Sequence, residues 1–361
     1  MIAYEMLLCK ASGARPTTSL TQQGKGGILG RRRSAGPKRD PRRIVLCIGC
    51  AARCTMTMPN FLIVGAQKAA TTSLYYYLKQ HPQIYMSPRK EPHFFEGMHS
   101  DFYRPGRTTL PVTDLADYQA LFEGVTDEKA IGEASASYLY SPKAPALIKR
   151  SIPDARLIAI LRNPADRAYS NFLHCVRAGR ESIVDFAEAL RVEEERIQSN
   201  WGPLWHYKQK GFYYAQVKRY LDTFGRDQVG VWLYEDLRAE PLDVLRDIWE
   251  FLEVDDTFVP DMSIEHTTSG LPRNKTLYRA AKKLAGRNSV LKLAILERCL
   301  PAGPRRYVKH RIFVQPPPFP AKIREQLLDS YREDILRLQD LIGVDLSPWL
   351  EGAGINAGGG R

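Results

Sequence analysis

Apolar residues along this chain gather in short unbroken runs instead of alternating with polar ones. Phe61 to Val64, Arg156 to Leu161 and Gln228 to Tyr234 are runs of this kind, rich in β-branched and aromatic residues. Such runs read as strands covered on both faces, and Ile84-Tyr85-Met86 is a shorter candidate. Between them the apolar spacing lengthens to that of helices. Thr72 to Gln80 places Leu74, Tyr77 and Leu78 on one face and stops at His81-Pro82. The same spacing predicts helices over 114–122, 164–178, 186–198, 211–224, 241–252, 276–300 and 322–341, the fourth of them stopped by Gly225. Strands alternating with helices predict an α/β fold with a central parallel sheet flanked by helices. We expect one domain over 58–345, a Gly-rich tail over 346–361, and no internal repeat.

Charge changes the picture only at the start of the chain. The formal net charge is +12, but residues 1–57 hold eleven Lys and Arg against Glu5 and Asp40. The remainder is nearly balanced, so a nucleic-acid-binding reading would rest on that basic extension alone. The extension also carries Cys9, Cys47, Cys50 and Cys54. The last three have the spacing of half a metal site, yet no His lies within the first 80 residues and no second pair follows, so no metal is expected. Ile44 to Ala52 is too short to span a bilayer. Met58 stands where the first strand begins, so residues 1–57 read as disordered or as preceding the true start. Cys175 and Cys299 stand alone, which suits a reducing, cytoplasmic setting.

The candidate chemistry starts after the first strand. Phe61 to Gly65 runs into Ala66-Gln67-Lys68-Ala69-Ala70-Thr71-Thr72-Ser73, a strand, small-residue turn and helix start. Backbone N–H groups and a helix N-terminus converge on an anion in that geometry, with Lys68 as a point charge and the hydroxyls as donors. A nucleotide-triphosphate loop places its Lys six residues after the first Gly, whereas Lys68 follows Gly65 by three. That spacing opposes a P-loop kinase. Downstream, Pro88 and Pro92 stiffen a turn carrying Arg89, Lys90, Glu91 and His93 before Phe94-Phe95, where Glu91 or His93 can serve as a general base. Glu133 is either a second site carboxylate or a buried structural acid. Arg162 ends the strand at 161, and Ser170 lies about 9 Å further along the following helix. An Arg at that place suits a phosphate. Arg167 reads as a surface neighbour of Ser170. Trp201, Trp205 and Tyr207 are aromatics of the type that pack a core or stack on sugars. Arg273 and Lys275 sit on a loop stiffened by Gly270 and Pro272.

In order and spacing these segments resemble the sulfotransferases that use 3′-phosphoadenosine-5′-phosphosulfate, in particular bacterial members and those acting on heparan sulfate. Lys68-Ala-Ala-Thr-Thr-Ser73 is similar to their 5′-phosphosulfate loop, with Ala70 where Gly is usual. Lys90-Glu-Pro-His-Phe-Phe95 is similar to their catalytic-base segment, and Gly132-Glu133 through Tyr138 to a third. Arg162-Asn-Pro through Ser170 matches their 3′-phosphate segment. The resemblance covers about residues 59–345 and implies a P-loop-like three-layer fold and sulfuryl transfer without a metal. It implies Glu91 as base with His93 in reserve, and Lys68 at the bridging oxygen. Lys68, Ala69, Ala70, Thr71, Thr72 and Ser73 would hold the 5′-phosphate, and Arg162 and Ser170 the 3′-phosphate. Gly270, Arg273 and Lys275 would form a late cofactor loop. Glu133 and Trp205 are expected at the acceptor. The expected partners are the small-molecule donor and a glycan, glycolipid or small hydroxylated acceptor, with no nucleic acid and no integral membrane segment.

Overall fold

Five short strands, β1 (Phe61–Gly65), β2 (Ile84–Met86), β3 (Ala130–Ala134), β4 (Arg156–Leu161) and β5 (Val229–Leu233), form one sheet in the order β2-β3-β1-β4-β5. Every pairing is parallel. The computed structural model describes residues 57–97, 111–263, 271–272, 313–314 and 317–351. All of them fall in the second of the two units into which the chain divides, Thr55–Arg361. β1 is central and buried at every position, which is why its sequence has no polar alternation.

The helices follow in chain order: α1 (Thr71–Leu78), α2 (Phe94–Gly97), α3 (Leu115–Gln119), α4 (Ala144–Ser151), α5 (Pro164–Arg177), α6 (Phe186–Arg191) and α7 (Glu193–Gln198). Then come α8 (Tyr214–Phe224), α9 (Tyr234–Ala239), α10 (Pro241–Phe251), α11 (Ala321–Ile342) and α12 (Ser347–Leu350). The helix expected over 186–198 is two, broken at Val192. β3 escaped the sequence pattern because Gly132 and Glu133 are poor strand formers. Its place is set by neighbours instead: a Cβ at Gly132 would lie 2.2 Å from the Phe61 ring, so only glycine lets β3 lie against β1. The boundary expected at 345 falls inside the folded unit, since Leu346 and Trp349 are buried and α12 follows. Among the described residues no helix is long and apolar enough to cross a membrane. The helix expected over 276–300 lies outside the described residues.

The sheet order decides where a ligand can sit. After β1 the chain moves toward the β2 edge, and after β4 it moves toward β5. The loops leaving β1 and β4 therefore diverge, opening a crevice at their carboxyl ends.

Candidate active site

Each strand delivers residues to that crevice. Beyond β1 the loop carries Lys68 and Ala70 with left-handed φ values of 77° and 61°. Ala70 caps α1 without any side-chain hydrogen bond, so the first-turn N–H groups of Thr71, Thr72 and Ser73 have no internal acceptor supplied by a capping side chain. The start of α5 differs: Asn163 Oδ1 accepts from the N–H groups of Ala165 (3.0 Å) and Asp166 (3.3 Å). One helix N-terminus is open and its neighbour is closed. At the second, Arg162 brings the charge. Its Nη1 donates to the Lys68 carbonyl (3.2 Å), and its guanidinium lies 4.5 Å from the Tyr234 ring centroid. Tyr213 Oη donates to the Arg162 carbonyl, Asn163 N–H donates to Glu235, and Asn163 Nδ2 donates to the Trp349 carbonyl, which together fix this corner. Ser170 lies on α5, partly exposed.

Lys68 is held down to a pKa of about 8, first by burial and then by the like charges of Arg177, Arg162 and Lys90. Among the described residues neither Lys68 nor Arg162 has a carboxylate within ion-pair distance. Converging positive charge without an internal counter-ion is costly unless an anion completes it.

On the other side of β1, the segment after β2 holds a side-chain network. Glu91 and His93 both have left-handed backbones, φ 58° and 55°. Glu91 Oε1 accepts from Lys90 Nζ (2.9 Å) and its Oε2 from the Ala136 N–H (3.2 Å). Ser137 donates its one hydroxyl proton to Glu96 Oε2 (2.8 Å). His93 Nδ1 lies 2.8 Å from that same Ser137 oxygen, so Nδ1 must be the donor there. With Nδ1 as donor to Ser137, Nε2 lies 3.6 Å from Glu91 Oε2. Two groups able to take a proton thus stand side by side, anchored from behind by Ser137 and Glu96. Sequence reading missed the roles of both anchors. Glu96 follows His93 by three residues on α2, a spacing that was available as a signal; Ser137 is 44 residues away and gave none.

Three expectations need correction. Glu133, expected at the acceptor, is fully buried and accepts from Tyr118 Oη (3.4 Å) and Ser135 Oγ (2.9 Å). It connects to the site through Ser135, which accepts the His93 N–H (3.1 Å). Burial pushes its carboxyl up to about 7. Trp205 is 2 % exposed, with its indole N–H donated to the Arg180 carbonyl (3.1 Å), so it has no free face for a sugar. Arg167 is not on the surface: it is 1 % exposed, because α5 turns that side toward the interior. Gly270, Arg273 and Lys275 lie outside the described residues.

Comparison with known proteins bears on this geometry. A family model described as "Sulfotransferase family" matches residues 59–258. A crystal structure of a sulfotransferase from Alicyclobacillus acidocaldarius is 38 % identical, with a TM-score of 0.64, the match covering 81 % of this chain and 99 % of that one. Bifunctional heparan sulfate N-deacetylase/N-sulfotransferase 4 of Mus musculus is 31 % identical over 205 residues, 55 % of this chain and 22 % of its own length. The corresponding enzyme 1 of Xenopus laevis is 28 % identical over 298 residues, 81 % of this chain and 31 % of its own. The chain thus spans about a fifth to a third of these curated relatives.

Proposed function

Given that the chain belongs to the sulfotransferase family, we propose that it moves a sulfuryl group from 3′-phosphoadenosine-5′-phosphosulfate to a hydroxyl or amine of a carbohydrate or glycolipid. The observation that carries the donor assignment is the uncompensated charge at Lys68, flanked by Arg162 and by an α1 N-terminus left open by Ala70. These residues fit a ligand with two separated phosphates. Ala69 and Ala70 backbone groups with Thr71, Thr72 and Ser73 serve the 5′-phosphate, and Arg162 with Ser170 serves the 3′-phosphate. Gly270, Arg273 and Lys275 are proposed to complete the donor site.

The donor supplies an activated sulfuryl group; the chain supplies charge and a proton acceptor. Lys68 offsets negative charge growing on the bridging oxygen, a preorganised electrostatic contribution. Glu91 takes the acceptor proton, oriented by Lys90 and the Ala136 N–H. His93 Nε2 stands next to it, its ring held by Ser137 and Glu96. The heparan sulfate enzymes among the relatives support a sugar acceptor. A reducing, cytoplasmic setting is supported by the unpaired, buried Cys175.

Calorimetry with 3′-phosphoadenosine-5′-phosphate against ATP–magnesium, followed by radiolabel transfer onto a panel of glycans and phenols, tests this. The bisphosphate should bind and ATP should not. Tight ATP binding with no response to the bisphosphate would sink the donor assignment, and transfer to phenols alone would sink the acceptor class.

A further inference from the structure

Two buried cations are left over once the donor and the proton network have taken their residues. Arg167 projects inward from α5, and its Nη2 donates to the Tyr207 carbonyl. Its Nε and Nη1 are buried with no hydrogen-bond partner. Lys210, 5 % exposed, donates to Gln67 Oε1 (2.6 Å) and lies 5.7 Å from the Tyr140 ring centroid. Both line one pocket, together with Gln67, Ser137, Tyr140 and Gln216.

Neither cation is ion-paired among the described residues. The carboxylates whose fields reach Lys210 are Glu96 and Glu193, and each is occupied elsewhere. Glu96 accepts from Ser137, and Glu193 accepts from the N–H groups of Lys208 (2.7 Å) and Gln209 (2.8 Å). Burial, with Arg167 beside it, lowers Lys210 to about 7. Two like charges buried together, with Glu96 and Glu193 near but not ion-paired to either, favour an anion joining them. Arg167 keeps Nε and Nη1 donors without an acceptor, on different sides of the guanidinium, and either can give a charge-assisted hydrogen bond to an oxyanion. Location adds to the case. Gln67 immediately precedes Lys68 in the donor loop, and Ser137 holds His93, so the pocket lies between the donor cradle and the proton network.

We propose that Arg167, Lys210 and Gln67 form a third anion subsite, separate from the two phosphate cradles, which takes one small oxyanion of carboxylate or sulfate type. The anion comes either from an acidic group on the acceptor or from solution. Only the first source depends on the proposed reaction.

The test compares the wild-type protein with Lys210→Met, both in saturating 3′-phosphoadenosine-5′-phosphate, while sodium sulfate is titrated and thermal melting is followed. General salting effects act equally on the two proteins. At roughly ten times the dissociation constant the wild type should gain about 2 °C or more over the variant. Equal gains overturn the subsite, because they mean that the pocket holds water only or that sulfate binds elsewhere. The variant keeps side-chain length but loses the hydrogen bond to Gln67, so each protein's sulfate gain is read from its own melting point without anion. Should it fail to fold, NMR titration of the wild-type Lys210 ammonium replaces it: sulfate should raise its pKa, and an unmoved value overturns the proposal. A phenyl glucuronide and the matching glucoside then separate the sources. A KM about tenfold lower for the acid, lost in Lys210→Met, assigns the acceptor group. Equal KM values, with the sulfate effect intact, assign a free anion. Failure of the bisphosphate to bind in calorimetry would count against the donor reading alone, since sulfate on an open donor cradle would act on both proteins and cancel from the difference between them.

Discussion

The two sides of the crevice are built by opposite means. The donor side is made of backbone and unpaired charge: an open helix start at Ala70, Lys68 among like charges, and Arg162 on a carbonyl and an aromatic face. The proton side is made of side chains that satisfy one another, from Lys90 to Glu91 and from His93 through Ser137 to Glu96. One side is electrostatically incomplete without a ligand, whereas the other is complete without one. On the proposed function, this division concentrates binding free energy on the donor and sets the base in position before the acceptor arrives.

The sharpest way to break this division is to remove the base while sparing the cradle. Glu91→Gln should lower turnover by about 10²–10⁴-fold, the range for a positioned proton acceptor. Its affinity for 3′-phosphoadenosine-5′-phosphate in calorimetry should hold. If turnover is normal, the base is His93. Lys68→Ala acts on the other side and should cost about 10²–10³-fold in kcat, as for loss of one preorganised electrostatic donor. Here bisphosphate binding should weaken as well; unchanged binding and turnover would remove Lys68 from the site. Next comes the anchoring behind the imidazole. Ser137→Ala should reduce kcat by less than Glu91→Gln does, by about tenfold, because it loosens His93 beside the base without removing the base. KM should move little. A variant that changes KM alone would make Ser137 an acceptor contact.

The same division explains what was legible beforehand. The donor side lies within short stretches, such as Gly65 to Ser73 or Arg162 to Ser170, so residue spacing carries its geometry. β1 and β4 announce themselves because burial on both faces removes polar alternation, whereas β5, an edge strand buried only at Val229, is recognised by its unbroken apolar run. The proton side joins positions that sequence keeps apart: Glu91 with Ala136, His93 with Ser137, and His93 N–H with Ser135. Those contacts exist only because β3 inserts between β2 and β1, and β3 is the strand that lacked a pattern. Arg167 and Trp205 were misplaced for a related reason. Neither residue type reveals from sequence whether its helix or loop faces inward, and tertiary packing decided both.

Glu133 tests the part of the proton side that is structural. Its carboxyl is raised to about 7 by burial, so the folded state keeps a proton that the unfolded state releases near its ordinary value. The native form binds more protons between about 4.5 and 7, and stability should fall across that window as pH rises. Glu133→Gln preserves shape and removes the titration. It should melt higher than wild type at pH 8, by at most about 3 kcal/mol. The two should converge near pH 4. Parallel curves from pH 4 to 8 would show that Glu133 is ionised in the folded protein.

The smallest effect concerns the donor side's own backbone. Ala70 adopts φ 61°, a conformation that costs an L-residue about 1–2 kcal/mol and glycine almost nothing. Glycine in turn loses about 0.4–1 kcal/mol through its freer unfolded chain. Ala70→Gly should therefore leave a net gain of about 1 kcal/mol or less, a rise of roughly 1–3 °C in melting temperature. Lys68 shares the loop and the left-handed region, so relief at residue 70 should tighten the cradle as well as the fold. Bisphosphate affinity ought to rise slightly or stay level, with turnover unchanged. Looser donor binding in Ala70→Gly would mean that the alanine methyl group, and not the left-handed turn, is what shapes the open end of α1.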